Sequence, residues 1–278
     1  MSPPRLHVLP AADVAVVIRR GPSRWWHILR WRLDPPEVES GAWFGGRLYP
    51  RRCAVSADGS LLGYYAMAAG KPPPWDSYLA VSKMPWLHAL AAWHWGSTWH
   101  WGCEFLSDGR FCTGEAEPTP PDVGSYPAGL AARPPLPVIS HPDGWRARDV
   151  QAELRRGWVQ AAATDAETSA AAPLVLRRPR PGDDDVALLL VHGGHDFTRH
   201  GVEGADIRYL IERGGSTAEL SDAAWADWDA RGRLLVASAG GELRVVEVTP
   251  AGLEAVWRHD LSSLEPAPVR APEWARRW

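Results

Sequence analysis

One phrase recurs along this chain and limits what it can become: an apolar run, a turn built on aspartate and glycine, then a second apolar run. Ala54-Val55-Ser56-Ala57-Asp58-Gly59-Ser60-Leu61-Leu62 has this form, and so does Phe105-Leu106-Ser107-Asp108-Gly109-Arg110-Phe111. Ala226-Asp227-Trp228-Asp229-Ala230-Arg231-Gly232-Arg233-Leu234-Leu235 is a looser copy. Such turns predict tight antiparallel hairpins, and their repetition predicts a stack of small antiparallel sheets. The phrase specifies no reaction.

Thin sheets leave gaps that large flat side chains fill. The chain has 17 tryptophans among its 278 residues. Each indole buries on the order of 150–250 Å² when packed. The tryptophan content is therefore first a packing statement, and only indoles left in solvent speak to binding.

The strand pattern continues between the turns. Val14 to Arg19, a turn at Arg20-Gly21-Pro22-Ser23, and Trp25 to Leu33 read as a hairpin, the second strand alternating between faces. Asp34-Pro35-Pro36 is expected to end it, because proline cannot donate to a ladder. Strands follow over 41–65, with Gly45-Gly46 and Asp58-Gly59 as turns, and over Ser77 to Ser82. Pro85 to Trp93 fits a strand better than a short helix in this context. Residues 118–142 hold eight prolines and read as a surface loop or extended arm. Residues 149–157 read as a short helix, with Asp149 as N-cap and Gly157 closing the C-terminus. Leu174 to Arg178, Val186 to Val191 and Ile207 to Glu212 are further strands. The cleanest segment is a four-stranded meander of Ala224 to Trp228, Arg233 to Ala239, Glu242 to Val248 and Leu253 to Asp260.

That meander and the dipeptides Trp75-Asp76 and Trp228-Asp229 give the chain its resemblance to the β-propeller superfamily, and within it to small bacterial propeller-like proteins of unassigned function. The match to tryptophan–aspartate repeats is partial. There the pair closes the third strand of a blade, whereas Trp228-Asp229 opens a turn before the second. The resemblance implies an all-β antiparallel propeller of about five or six blades, with at most one or two short helices. The expected organisation is a single domain over 1–265, with a proline- and tryptophan-containing tail over 266–278 that is either loose or packed back on the body.

Composition removes several function classes. The formal net charge of −3 and the lack of a basic stripe with interleaved aromatics give no reason to expect nucleic acid or an anionic membrane as partner. Only Lys71 and Lys83 are lysines, and arginine and alanine are abundant, as in the coding bias of a GC-rich bacterial genome. Cys53, Cys103 and Cys112 fit a reducing compartment better than a disulfide framework, and no long apolar segment or secretion signal is visible. A cytoplasmic location is expected.

Two constellations carry possible chemistry. Trp93, Trp95, Trp99 and Trp101 would share one face of a hairpin, with His94 and His100 on the other. Exposed, that face anchors a protein partner or stacks on sugar rings; buried, it is a packing layer. His192, His195 and His200 are a candidate metal set for a hydrolase, although the spacing matches no established helical metal motif. His192-Gly193-Gly194 also resembles the oxyanion loop of α/β-hydrolases, but the chain lacks the Gly-x-Ser-x-Gly elbow that chemistry requires. No catalytic residue and no cofactor is assigned. The function expected is a non-catalytic interaction module whose partner is another protein. A carbohydrate or small-molecule binder and a metal-dependent hydrolase are the alternatives.

Overall fold

The computed structural model describes residues 5–21, 25–68, 76–94, 102–113, 137–139, 153–154, 156–161, 174–195 and 205–278. Over these residues the chain is all-β, with strands grouped into five sheets in chain order. The first is a meander of β1 (Arg5–Pro10), β2 (Val14–Arg20), β3 (Trp26–Leu33) and β4 (Pro36–Phe44). The second holds β5 (Arg47–Leu48), β6 (Ala54–Val55), β7 (Leu61–Met67), β8 (Ser77–Lys83) and β9 (Ala91–His94). The third is β10 (Glu104–Phe105), β11 (Phe111–Cys112) and β12 (Val138–Ile139). The fourth runs through β13 (Val159–Gln160), β14 (Leu174–Arg180), β15 (Asp183–His195), β16 (Ala205–Arg213) and β17 (Ser216–Glu219). The fifth is the meander β18 (Ala223–Trp228), β19 (Leu234–Ser238), β20 (Glu242–Thr249) and β21 (Gly252–Asp260).

All three copies of the recurring phrase are hairpins, joining β6 to β7, β10 to β11 and β18 to β19. They share one mechanism. Gly59, Gly109 and Gly232 sit at φ of 70°, 82° and 73°, a region open to glycine because it lacks a Cβ. Their amides donate to the carbonyls of Ser56, Leu106 and Asp229 at 2.8, 3.0 and 3.0 Å. The turn carboxylate then caps the next amides. Asp58 Oδ1 accepts from Ser60 N at 3.0 Å, Asp108 Oδ1 from Arg110 N at 3.1 Å, and Asp229 Oδ1 from Arg231 N at 2.9 Å. Hydrogen bonding, led by the Ser56 hydroxyl, holds the Asp58 carboxyl below its ordinary range.

Asp34-Pro35 ends β3 at Leu33, as expected, and turns the chain into β4, whose first residue is Pro36, where no ladder N–H is missed. Other expectations need correction. Gly45-Gly46 is not a hairpin turn. It passes the chain from β4 to β5, which pairs with β7 in a different sheet. The proline-rich stretch contributes β12, which pairs parallel with β11; the rest of 118–142 lies outside the described residues. Of the helix expected over 149–157, Glu153 and Leu154 are helical, while Asp149 lies outside the described residues. His192-Gly193-Gly194-His195 continues β15 through a register shift instead of leaving the sheet as a loop.

The chain forms two compact units. One comprises residues 1–144 and 262–278, the other 145–261. In the first, the middle sheet is covered on both faces, which explains why its strands read as continuous apolar runs instead of alternating ones. Tyr64, Ala66, Tyr78 and Ala80 pack with Val16, Ile18, Trp26 and Ile28 of the first sheet. Their neighbours Tyr65, Leu79, Val81 and Trp93 pack with Cys103 and Phe111 of the third sheet. Period-two geometry sends adjacent residues into different layers. The second unit is tied by polar as well as apolar contacts. Trp228 Nε1 donates to Arg178 O at 3.0 Å, Arg180 Nε donates to Gly232 O at 2.8 Å, and Arg178 pairs with the buried carboxylate of Asp227. Against the pull of Arg178, burial raises the Asp227 carboxyl above its ordinary range.

Gly63 marks how closely the second and third sheets approach. A Cβ there would lie 2.7 Å from Cys103 Sγ and 2.7 Å from a Phe111 ring carbon. Gly63→Ala is therefore expected to destabilise the protein by about 1–3 kcal/mol, the usual cost of overpacking. An unchanged urea midpoint would contradict this packing.

Candidate functional site

Only one of the four tryptophans expected to form a binding face is within the described residues. Trp93 is buried, and its ring stacks on Phe111 at a centroid distance of 5.7 Å, so it belongs to the core. Trp95, Trp99 and Trp101 lie outside the described residues. His94, on the opposite side of β9, is half-exposed and its Nε2 lies 3.0 Å from Asp76 Oδ1. His192 sits mid-ladder on β15, opposite Leu174 and Ile207. His195 pairs through its backbone with Ala205, and His200 lies outside the described residues. Among the described residues no three His, Cys, Asp or Glu side chains gather as a metal-binding group. The three cysteines are buried and are not joined in a disulfide. No helix among the described residues is long and apolar enough to cross a membrane.

The structure draws attention to a different part of the first unit, where residues 262–278 return to it. Arg19 of β2, fully buried, begins the attachment. Its Nη2 donates to the carbonyls of Ser262 and Leu264 at 3.2 and 3.0 Å. Further along, Lys83 Nζ donates to Trp274 O at 3.2 Å, and Trp278 Nε1 donates to Leu90 O at 3.1 Å. Between these points Glu273–Arg276 makes a single 3₁₀ turn that buries Ala275.

Arg19 is one member of a row across the first sheet. It is the register partner of His27 on β3, which in turn faces Trp43 on β4. His27 stacks on Trp43 at 3.9 Å with an interplanar angle of 11°, and Arg19 lies 5.9 Å from the same ring. His27 Nε2 and Ser40 Oγ share a hydrogen bond of 2.8 Å. A histidine against an exposed serine has the outline of a base and its nucleophile, but the electrostatics oppose that role. Burial, and then the Arg19 charge, push the His27 pKa down to about 4, so the ring is a poor proton acceptor. His27 Nδ1 is buried and has no partner among the described residues. An unpaired lone pair is cheaper to bury than an unpaired N–H. The tautomer that follows donates from Nε2 to Ser40, which is a structural bond.

What the returning segment leaves in solvent is more suggestive. Trp274 and Trp278 are 49% and 38% exposed, whereas Trp26, Trp31, Trp93, Trp158, Trp225 and Trp228 are buried. His88, on the connection that carries Leu90, is held below its ordinary pKa by partial burial, then by the charges of Arg276 and Arg270. Trp278 is anchored two residues away, at Leu90. The two tail indoles are visible in the sequence, but local pattern does not decide between a loose tail and a packed one. The proline-rich composition of 266–278 fits an extended segment that binds through carbonyls and side chains instead of joining a sheet.

No protein-family model matches the chain, and no curated protein matches it. Among solved structures it is similar to the β-propeller domain of the Trilobed protease from Pyrococcus furiosus, at 8% identity, covering 91% of this chain and 72% of that chain with a TM-score of 0.25.

Two outcomes follow from the Arg19 row. Arg19→Met removes both hydrogen bonds from Nη2 to the returning segment, and hydrogen exchange is expected to quicken at 262–264 before it does in β2 and β3; unchanged exchange there would show that the guanidinium does not hold it. His27 sets a pH dependence. Its pKa is 6.5 when unfolded and about 4 when folded, so the unfolded chain binds the extra proton between these values. The stability at stake, about 3 kcal/mol, is fully present above pH 6.5 and is lost as pH falls toward 4. His27→Gln is expected to flatten denaturation midpoints over that window relative to the parent. His7, which is shifted in the same direction, is common to both proteins and cancels in the comparison.

Proposed function

We propose that the protein is a propeller-like, non-catalytic interaction module that binds another protein through the surface of its first unit built on Trp274 and Trp278. The observation that carries this reading is the contrast in tryptophan placement. Six described indoles serve as core, while these two, four residues apart on a segment fastened by Arg19, Lys83 and Leu90, stand half in solvent. Tryptophan is the side chain most enriched at binding hot spots, and an anchored backbone lowers the entropy lost when a partner arrives. The propeller-like architecture is supported by sheets that follow one another in chain order, two of them four-stranded antiparallel meanders. Architecture alone assigns no function, so the exposed indoles carry the weight.

The test is affinity capture from the native host with the full chain as bait, run beside Trp274→Ala. That substitution leaves the Trp274 carbonyl, and so its bond from Lys83, in place. One or more proteins are expected to be retained reproducibly by the parent and recovered about tenfold less with the variant at unchanged melting temperature, the loss of one hot spot. Equal recovery by both, or no reproducible partner, would overturn the proposal.

A further inference from the structure

We infer that Arg5 and Arg20, side by side at one end of the first sheet, form a site for the phosphate group of a small molecule. This site is independent of the interaction reading above and uses neither Trp274 nor Trp278.

Strand register brings the two cations together. Arg5 on β1 is the partner of Arg20 on β2, which sets their Cα atoms about 4.5–5.5 Å apart with both side chains on one face. Arg20 is in turn the partner of Trp26 on β3, and its guanidinium lies over that indole at 5.3 Å from the ring centroid. The indole is itself held, since its Nε1 donates to Gly46 O at 3.1 Å. Both arginines are exposed. Like charges directly opposite each other on neighbouring strands repel, and among the described residues neither Arg5 nor Arg20 has an ion pair to offset this. Arg30 and Arg32, further along β3, are answered by Glu39 and Glu37 on β4. The sequence explains the difference. No Asp or Glu occurs over 1–12, 14–33 or 40–57, the stretches that carry β1, β2, β3, β5 and β6.

His7 lies two residues along β1 from Arg5, on the same face and opposite Ile18. Ile18 shares a buried cluster with Cys53, which follows the turn Pro50–Arg52. Burial, then the charges of Arg51, Arg5 and Arg20, push the His7 pKa down to about 4, so the imidazole is neutral at neutral pH and adds no further charge. A guanidinium seated over an indole is fixed in place while its N–H donors stay open to oxygens. The two oxygens of one carboxylate satisfy one such fork. A tetrahedral phosphate dianion brings more oxygens and more charge, and so meets both guanidinium groups at once.

Inorganic phosphate, phenyl phosphate and acetate, titrated into the full chain at neutral pH and matched ionic strength and followed by amide NMR shifts, test this. Both phosphates are expected to move the amides of β1 and β2 saturably and to bind about tenfold more tightly than acetate. The tighter of the two tells whether the group arrives free or as an ester. Arg20→Gln is expected to weaken both about tenfold. Arg5→Gln distinguishes a ligand site from a crowded pair of charges. Without phosphate it is expected to melt no lower than the parent, because the repulsion is gone, and with phosphate to gain less. Bound phosphate is also expected to make His7 take up its proton about tenfold more readily, read from its ring resonances. The inference is overturned if acetate matches the phosphates, if neither phosphate saturates, if Arg20→Gln binds as well as the parent, or if His7 titrates alike with and without phosphate. Any of these results would leave the reading built on Trp274 standing.

Discussion

A fully buried guanidinium holds the first unit together as a continuous object. Residues 1–144 and 262–278 are far apart in sequence, and Arg19 joins them by donating to the carbonyls of Ser262 and Leu264. A charge in this position is costly unless its donors are used. Here Nη2 turns to two main-chain oxygens that would otherwise also need partners. Burial, aided by that charge, keeps the His27 imidazole neutral, which fixes the character of the whole row: Arg19, His27 and Trp43 brace one another.

Behind that row, the core is organised by parity. The middle sheet of the first unit faces apolar neighbours on both sides, so Tyr64 and Tyr65, adjacent in sequence, serve different layers. The close approach at Gly63 is a consequence, because a sheet pressed between two others leaves no room for a side chain at every position. In the second unit the corresponding strain falls on polar groups. Asp227 lies buried under Arg178, next to Trp228, whose indole reaches back to the Arg178 carbonyl. One motif, Asp227-Trp228-Asp229, therefore supplies an ion pair, an aromatic strut and a turn cap in succession.

The hairpins were legible in the sequence because each is a local agreement between an aspartate that caps amides and a glycine that takes a left-handed backbone. Asp58-Gly59, Asp108-Gly109 and Asp229 to Gly232 need no distant residue to make sense. The closing meander was legible for the same reason. Strand identity became illegible where pairing is non-local. β5 reads as the far side of a Gly45-Gly46 hairpin until its partner, β7, is known, and β12 hides in a proline-rich stretch because it pairs with β11, a strand distant in sequence. The site was harder still. Trp93 and Trp274 are equally plausible anchors on paper. What separates them is Phe111, brought over Trp93 from another sheet, and the lack of any such cover on Trp274. Indole burial is decided by neighbours far away in sequence, so period-two patterning can sort the faces of one strand but cannot say which face is covered.

The division of the chain also has a consequence for the order in which it can be completed. Residues 145–261 are contiguous, close on themselves where the Leu261 amide meets the Gly241 carbonyl, and leave the ribosome before the last stretch does. The first unit cannot be finished until residues 262–264 reach Arg19. Arg19, which precedes that contiguous unit in the chain, is thus sealed only after it, and until then a cationic side chain destined for the interior waits in water.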